Sequence, residues 1–314
     1  MKSKYSTDLT RSDFLKTIGG AGAAAALTSA SPALAAKPVQ KRPIPSTGEK
    51  LPIIGLGTSR VFDVDKSPEE RAPRKQVLRT LIGGGASIID TAPSYGEAEE
   101  VVGDLVHELG IRNKVFIATK VRQDGKEDGL AEIKNSFKVL RTDKIDLLQI
   151  HNLVDWKTQV KTLRDLKDKG KVRYIGITHY LSHAYDELAD AIAKEKFDFV
   201  QLGYSLSDVG AETRILKVAA DRGTAVMVNR TFGPRRGSQF RKVRGMKLPS
   251  WAKDFDCDSW GQFFLKYVLS HPSVTCVIPG TKKSKHMRDN LNAARGRMPD
   301  AAQRKQMLKF WDSL

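Results

Sequence analysis

Asp90, Tyr95, Lys120 and His151 have the types, and the placement along the chain, for moving a proton onto a carbonyl oxygen. Each falls at the end of a short apolar run that reads as a parallel strand, or in the loop just after it. In a barrel of alternating strands and helices the carboxyl ends of the strands converge on one face, so residues distant in sequence meet there. A phenol beside an ammonium and an imidazole is a proton donor. The lysine cation favours phenolate, and is expected to draw the tyrosine down from its usual pKa near ~10 toward working pH. Asp90 would hold the lysine and His151 would orient the carbonyl. Such a set suits reduction of a carbonyl by hydride.

The elements that must position these groups are legible as eight strand-like runs: Ile53–Leu56, Ser87–Ile89, Val115–Thr119, Ile145–Ile150, Arg173–Ile177, Phe199–Tyr204, Ala225–Asn229 and Val274–Ile278. Each is short and apolar enough for burial on both faces. Between them, Gly129–Leu140, Asp186–Glu195 and Thr213–Arg222 repeat apolar residues at helical spacing. Ahead of the first run, Arg42-Pro-Ile-Pro-Ser-Thr-Gly-Glu-Lys-Leu-Pro-Ile54 reads as a hairpin about a Ser-Thr-Gly-Glu turn. The expectation is an α/β fold, a (β/α)8 TIM barrel formed by residues 37–314 as one domain, a length that suits a single barrel of ~250 residues with some to spare. With 40% hydrophobic and 28% charged residues the chain has material for a core.

The motifs Gly55-Leu-Gly-Thr58, Asp90-Thr-Ala-Pro-Ser-Tyr-Gly96, Ala118-Thr-Lys120, Asp146-Leu-Leu-Gln-Ile-His151 and Ile278-Pro-Gly280 stand in the order seen in aldo/keto reductases, and the chain resembles that family from about Arg42 to about Ala294. The resemblance implies that the hairpin closes the bottom of the barrel and that an extended nicotinamide dinucleotide lies across its top. It assigns Tyr95 as general acid with Asp90, Lys120 and His151 around it. It places Thr58, Thr178, His179 and Gln201 at cofactor positions, the last three at the nicotinamide amide, and Asp289 and Asn290 on the adenine side. The chain departs from the common pattern at three places. His179 stands for the usual asparagine, Asn229 for the tyrosine that stacks on the nicotinamide, and Gly280 with His286 for a more basic pair at the 2′-phosphate. A stacking ring would then have to come from Tyr204 or Phe232.

NADPH is the expected cofactor, with NADH the alternative, because Thr281, Lys282, Lys283, Lys285 and His286 lie at the start of an expected helix, where backbone N–H groups and positive side chains favour phosphate. The stretch Thr231–Ser259 forms a long loop after the seventh strand, and Phe232, Trp251 and Phe255 are candidates to line the substrate pocket. A basic cluster, Arg230, Arg235, Arg236, Arg241, Lys242, Arg244 and Lys247, reads either as a phosphate-binding or cofactor-covering loop or as a solvated one; an anionic or polar carbonyl would suit it.

Residues 1–36 read differently from the rest. A basic start leads through an alanine-rich apolar stretch to Ala33-Leu34-Ala35, a cleavage pattern of small residues. Thr10-Arg11-Ser12-Asp13-Phe14-Leu15-Lys16 resembles the twin-arginine export motif with Ser12 for the second arginine. The expectation is a signal peptide that engages the export machinery and delivers the protein to a bacterial periplasm, with a cytoplasmic location if export is inefficient. The stretch is too short and too rich in Gly, Ser and Thr to anchor the protein stably in a membrane. Net charge is +17, and +15 without this segment. Such a field favours anionic ligands, but no zinc-finger spacing, RNP-type aromatic run or basic heptad helix points to a specific nucleic acid. Cys257, in a polar loop, and Cys276, in a strand, leave a disulfide open, and neither spacing suits a metal. His107, His183 and His271 read as surface residues. The alternative to a reductase is a nucleotide-binding or sensing barrel with little turnover; a general binder of acidic polymers is motivated by charge alone.

Overall fold

In the computed structural model, residues 37–234 and 238–314 are described. The expected export segment, and Arg235 and Arg236 of the basic cluster, lie outside them. The described chain starts with the hairpin, β1 (Lys41–Pro43) and β2 (Lys50–Pro52), paired antiparallel with Arg42 opposite Leu51. Strands and helices then alternate: β3 (Gly55–Gly57), α1 (Pro68–Gly83), β4 (Ile88–Asp90), α2 (Ala98–Glu108), β5 (Phe116–Val121), α3 (Lys126–Val139), β6 (Ile145–His151), α4 (Trp156–Asp168), β7 (Val172–His179), α5 (Tyr185–Lys194), β8 (Phe199–Gly203), α6 (Ile215–Asp221), β9 (Ala225–Asn229). The described part of the long loop carries the short helix α7 (Gln239–Lys242) and a 3-10 helix at Ser250–Phe255, and the chain ends α8 (Trp260–Leu269), β10 (Val274–Val277), α9 (Ser284–Ala293), α10 (Ala301–Asp312). Lys37–Leu314 is one compact unit.

The strands from β3 to β10 form one eight-stranded parallel sheet in sequence order. Its two ends meet through isolated parallel bridges, Ile54 with Val277 and Gly57 with Gly280, which close the ring. This is the expected (β/α)8 barrel, with its hairpin. A Cβ on Gly57 would sit 2.6 Å from the carbonyl oxygen of Ile278, so only glycine lets the seam close here. The strands run further than the apolar pattern suggested. β4, β5, β6 and β7 continue to Asp90, Val121, His151 and His179, because an inward polar side chain leaves the backbone free to pair as before.

Alternation of side chains sorts the core into two. Outward residues such as Ile89, Ile117, Leu148 and Val200 pack beneath the helices. Inward residues Ile88, Phe116, Ala118, Leu147, Tyr174, Phe199, Ala225 and Met227 fill the barrel with Ile44 and Leu51 of the hairpin region as the plug. Phe116, Tyr174 and Phe199 make mutual ring contacts at 5.7–6.1 Å between centroids. The plug is tied on by Glu49, which accepts hydrogen bonds from Arg173 at 2.5 Å and the Tyr174 hydroxyl at 2.6 Å. Among the described residues no helix is long and apolar enough to cross a membrane. Cys257 and Cys276 are both free and buried; Cys257 stands in a loop as expected, with its side chain turned into the core. His107 and His183 are exposed as expected, but His271 is half-buried, its ring edge-on to Tyr204 at 6.0 Å.

Candidate active site

The inward phase that fills the lower barrel with apolar groups turns polar at the carboxyl ends. Following Ile88 the next inward residue of β4 is Asp90; following Ala118 it is Lys120; following Leu147 come Gln149 and His151; following Phe199 comes Gln201. Strand register sets Lys120 beside Gln149, and His151 beside Thr178. Asp90, Lys120, Gln149 and Gln201 are all buried.

Lys120 Nζ donates to Asp90 Oδ1 at 2.9 Å, to Asp90 Oδ2 at 2.8 Å and to the Thr91 carbonyl at 2.8 Å. A side-chain hydrogen bond with Tyr95 joins these contacts. Desolvation opposes the charge, but Asp90 and Tyr95 hold the Lys120 pKa above its ordinary value. Asp90 Oδ1 also accepts from Gln201 Nε2 at 2.7 Å and Gln149 Nε2 at 3.3 Å, and Asn229 Nδ2 donates to Gln201 Oε1 at 3.1 Å. Thr58 steadies the aspartate from behind, its backbone N–H and hydroxyl both donating to the Asp90 carbonyl at 3.0 and 2.9 Å.

Tyr95 is held by its loop. Gly96 has φ +61°, and the Asp63 carboxylate occupies the space a Cβ would need while accepting from the Glu97 N–H at 3.1 Å at the start of α2. Lys120 Nζ lies 5.0 Å from the Tyr95 ring centroid, and the His151 ring meets Tyr95 edge-on at 5.8 Å. Burial raises the Tyr95 pKa above its ordinary 10, against the opposing pull of Lys120. The expected lowering is therefore reversed in the free protein: the cation limits a rise that desolvation causes. Burial first, then Lys120, pushes His151 down to about 3, so it is neutral at working pH. The Ser94 hydroxyl lies 3.3 Å from its Nδ1; with the hydroxyl as donor, the ring proton resides on Nε2.

Two clefts share Gly280. The first is lined by Asp90, Tyr95 and His151 with Thr58, Gln201, Asn229, Arg230 of the basic cluster and, beyond the sequence expectations, Ser59, Arg60, Tyr180 and Ile278. The second is lined by Phe232, Phe240, Trp260, Thr281, His286, Asp289 and Asn290. Thr178 is buried beneath the first cleft rather than lining it. His179 points off the barrel axis, its Nδ1 accepting from the Leu181 N–H at 3.2 Å and its ring stacked on Tyr180, so it borders neither cleft. Lys282 lies on the outer surface with Lys283, Lys285, Pro73 and Gln76. The Asp289 carboxylate accepts from Ser259 Oγ at 2.7 Å and Gln262 Nε2 at 2.8 Å, which ties α9 to α8.

The expectations for four aromatic rings change. Tyr204 is buried against Tyr267, with its hydroxyl on Glu212, and offers no ring to the cleft. Phe255 belongs to the core with Phe263, and Trp251 packs on both instead of on a pocket. Phe232 lines the second cleft, not the substrate side, with its ring 5.1 Å from Phe240. Periodicity told which residues face inward; it carried no signal for these loop and helix rings.

A two-ended ligand fits this arrangement. Asn229 Oδ1 is buried without a hydrogen-bond partner at the first cleft, an acceptor for an amide N–H. The second cleft presents aromatic faces beside the amino end of α9, where Lys283 precedes the helix without capping it by side chain. These residues fit a nicotinamide dinucleotide laid from one cleft to the other past Gly280.

Comparison with known proteins agrees with this geometry. The sequence model of the aldo/keto reductase family matches residues 53–305. The aldo-keto reductase YhdN of Bacillus subtilis is 32% identical over 193 residues, a match that spans 57% of each chain. The aldo-keto reductase str7 of Strobilurus tenacellus is 28% identical over 284 residues, 77% of this chain and 81% of that one. Among solved structures, an aldo/keto reductase from Klebsiella pneumoniae in complex with NADP and acetate superposes with a TM-score of 0.68 at 24% identity, covering 84% of this chain and 93% of that one. At that identity the likeness speaks for the barrel alone.

Proposed function

The chain belongs to the aldo/keto reductase family, and from that premise we propose that it reduces an aldehyde or ketone to an alcohol with NADPH as hydride donor and Tyr95 as general acid. The observation that carries the reading is the assembly of Asp90, Tyr95 and His151 at one cleft, with Lys120 buried behind them and bound by both Asp90 oxygens.

Bound NADPH supplies the hydride, and the chain's own groups manage the oxygen that becomes negative. Tyr95 Oη donates its proton to that oxygen. His151, neutral and, with the Ser94 hydroxyl donating to Nδ1, carrying its proton on Nε2, adds a hydrogen bond that orients the carbonyl without competing as an acid. Lys120 stabilises the phenolate left behind, and Asp90 keeps the ammonium in place. Gln149 and Gln201 hold the aspartate. The cost of burying this ion pair goes into a tuned proton donor rather than into stability. On the cofactor side, Gln201, Asn229 and Gly280 would face the nicotinamide end, and Thr281, His286 and Asn290 the adenylate end. The α9 start beside His286 supports the 2′-phosphate and so NADPH over NADH.

The test is Tyr95→Phe, which removes the acid and keeps the ring. Reduction of a panel of small aldehydes with NADPH should fall at least about a hundredfold; turnover at the wild-type rate would overturn the assignment.

We further propose that residues 1–36 direct export toward a periplasm by a twin-arginine-like route. The basic start, the alanine-rich stretch and Ala33-Leu34-Ala35 support it, and the family match begins only at residue 53. Such a route carries folded proteins, which would let the cofactor load first. A reporter fused behind residue 36 should be exported and cleaved, and Ser12→Arg should increase transport; a reporter that stays inside and uncut refutes the proposal.

A further inference from the structure

Resting on that reading, the first cleft also carries a charge selection that the reduction itself does not need. Arg60 and Arg230 line it together with Tyr95 and His151. Both are non-glycine residues in the left-handed region, with φ +63° and +51°. L side chains rarely adopt that region, so the fold holds backbone strain at both points. The Arg230 guanidinium lies 3.8 Å from the centroid of the Tyr180 ring, and Tyr180 borders the same cleft. Stacking fixes the plane of the guanidinium and leaves its edge donors free.

Neither arginine forms an ion pair among the described residues. Asp90, the carboxylate at the cleft, is taken up by Lys120, Gln149 and Gln201. Asp208 faces a small side cavity that Arg230 also borders, but makes no ion pair with it. The field of Arg230 reaches Tyr95, where burial raises the pKa and Arg230 is the smallest of the causes opposing that rise. Arg230 and Arg60 do not border the second cleft, where the phosphate-favouring helix start lies.

We propose that Arg230, held on Tyr180, and Arg60 on the same cleft select carbonyl substrates that also carry a carboxylate, such as oxo acids and carboxylated aldehydes. The pair fits one carboxylate by edge-on, charge-assisted hydrogen bonds while the carbonyl reaches Tyr95 and His151.

The experiment uses 3- and 4-formylbenzoate against the corresponding formylbenzamides, near-isosteric compounds that differ in charge. Wild-type protein should prefer the carboxylates by about tenfold or more in kcat/KM, and in Kd for the NADPH complex, so that the preference is read even where turnover is slow. In Arg230→Gln the ratio should collapse toward one, chiefly through KM and Kd of the carboxylates, and Arg60→Gln should reduce it by less. Equal affinity of wild-type protein for acid and amide overturns the proposal. So does an Arg230→Gln variant that weakens NADPH binding and lowers both compounds in proportion, since the arginine would then serve the cofactor phosphates. Tyr95-independent turnover sinks the reductase assignment instead, and leaves the charge preference to be read from Kd.

Discussion

At the amino ends of the strands the barrel interior holds Ile88, Phe116, Leu147, Tyr174 and Phe199, plugged by Ile44 and Leu51; at the carboxyl ends the same inward rows hold Asp90, Lys120, Gln149, His151 and Gln201. One backbone periodicity thus builds two interiors of opposite kind. The lower one is close-packed and apolar, and hydrophobic transfer favours it directly. The upper one buries a cation, a carboxylate and two amides, whose desolvation is offset only because almost every donor and acceptor is matched. What fills the bottom stabilises the fold, and what fills the top does the chemistry.

Lys120→Met should strain that division most. It leaves Asp90 buried without its cation, a loss of about 3–5 kcal/mol for a broken buried pair, visible in denaturant midpoints. It also removes the group that opposes the burial-driven rise of the Tyr95 pKa. Reduction needs the protonated phenol and is lost as pH rises through the Tyr95 pKa, so the basic limb of the pH–rate profile should lie above pH 10 and move higher in the variant; an unmoved limb would separate lysine from tyrosine. Tyr95→Phe should give the cleanest top-only effect, a loss of about 10²–10⁴ in kcat/KM with little change in the unfolding midpoint.

Phe116→Ala is the mirror image. It removes one ring of the Phe116, Tyr174 and Phe199 cluster and should cost about 3–5 kcal/mol of stability, while KM for an aldehyde holds near its wild-type value. A large KM change would mean that the lower interior sets the site geometry as well.

The smallest effect sits on the outer face of β5, where Thr119 points away from Lys120. Its hydroxyl donates to Glu99 Oε1 at 2.5 Å, Ser136 donates to Oε2 at 3.1 Å, and burial raises the Glu99 pKa from 4.5 to about 7. The native state therefore keeps a proton that the unfolded chain releases from about pH 4.5 upward. Stability from this group is full below that value and declines until about pH 7. Glu99→Gln should flatten the pH dependence of Tm between about pH 4.5 and 7; an unchanged slope would show that Glu99 does not govern it.

The sequence made much of this legible because strands buried on both faces leave apolar runs, and because the four polar groups each follow such a run. Eight strands, the hairpin and the meeting of Asp90, Lys120, Tyr95 and His151 came from that. Gln149 was within reach of the same logic, sitting two residues before His151 on the inward phase. The sign of the Tyr95 shift was not, since it weighs desolvation against a charge at a distance the sequence does not contain. Nor were the burial of Tyr204 and Phe255 or the stacking of Arg230 on Tyr180, which depend on how loops and helices pack around the strands.

The ring of strands has one thin joint. Between β10 and β3 the partnership rests on two isolated bridges, at Ile54 with Val277 and Gly57 with Gly280, and both glycines line the first cleft. A dinucleotide bound across the two clefts would cross the joint like a clasp, so cofactor affinity and cohesion of the barrel would become one linked equilibrium. At a concentration a hundred times its Kd, such a clasp would add about 2.7 kcal/mol to the folded state, and the backbone amides flanking the joint should be where hydrogen exchange slows most when it fastens.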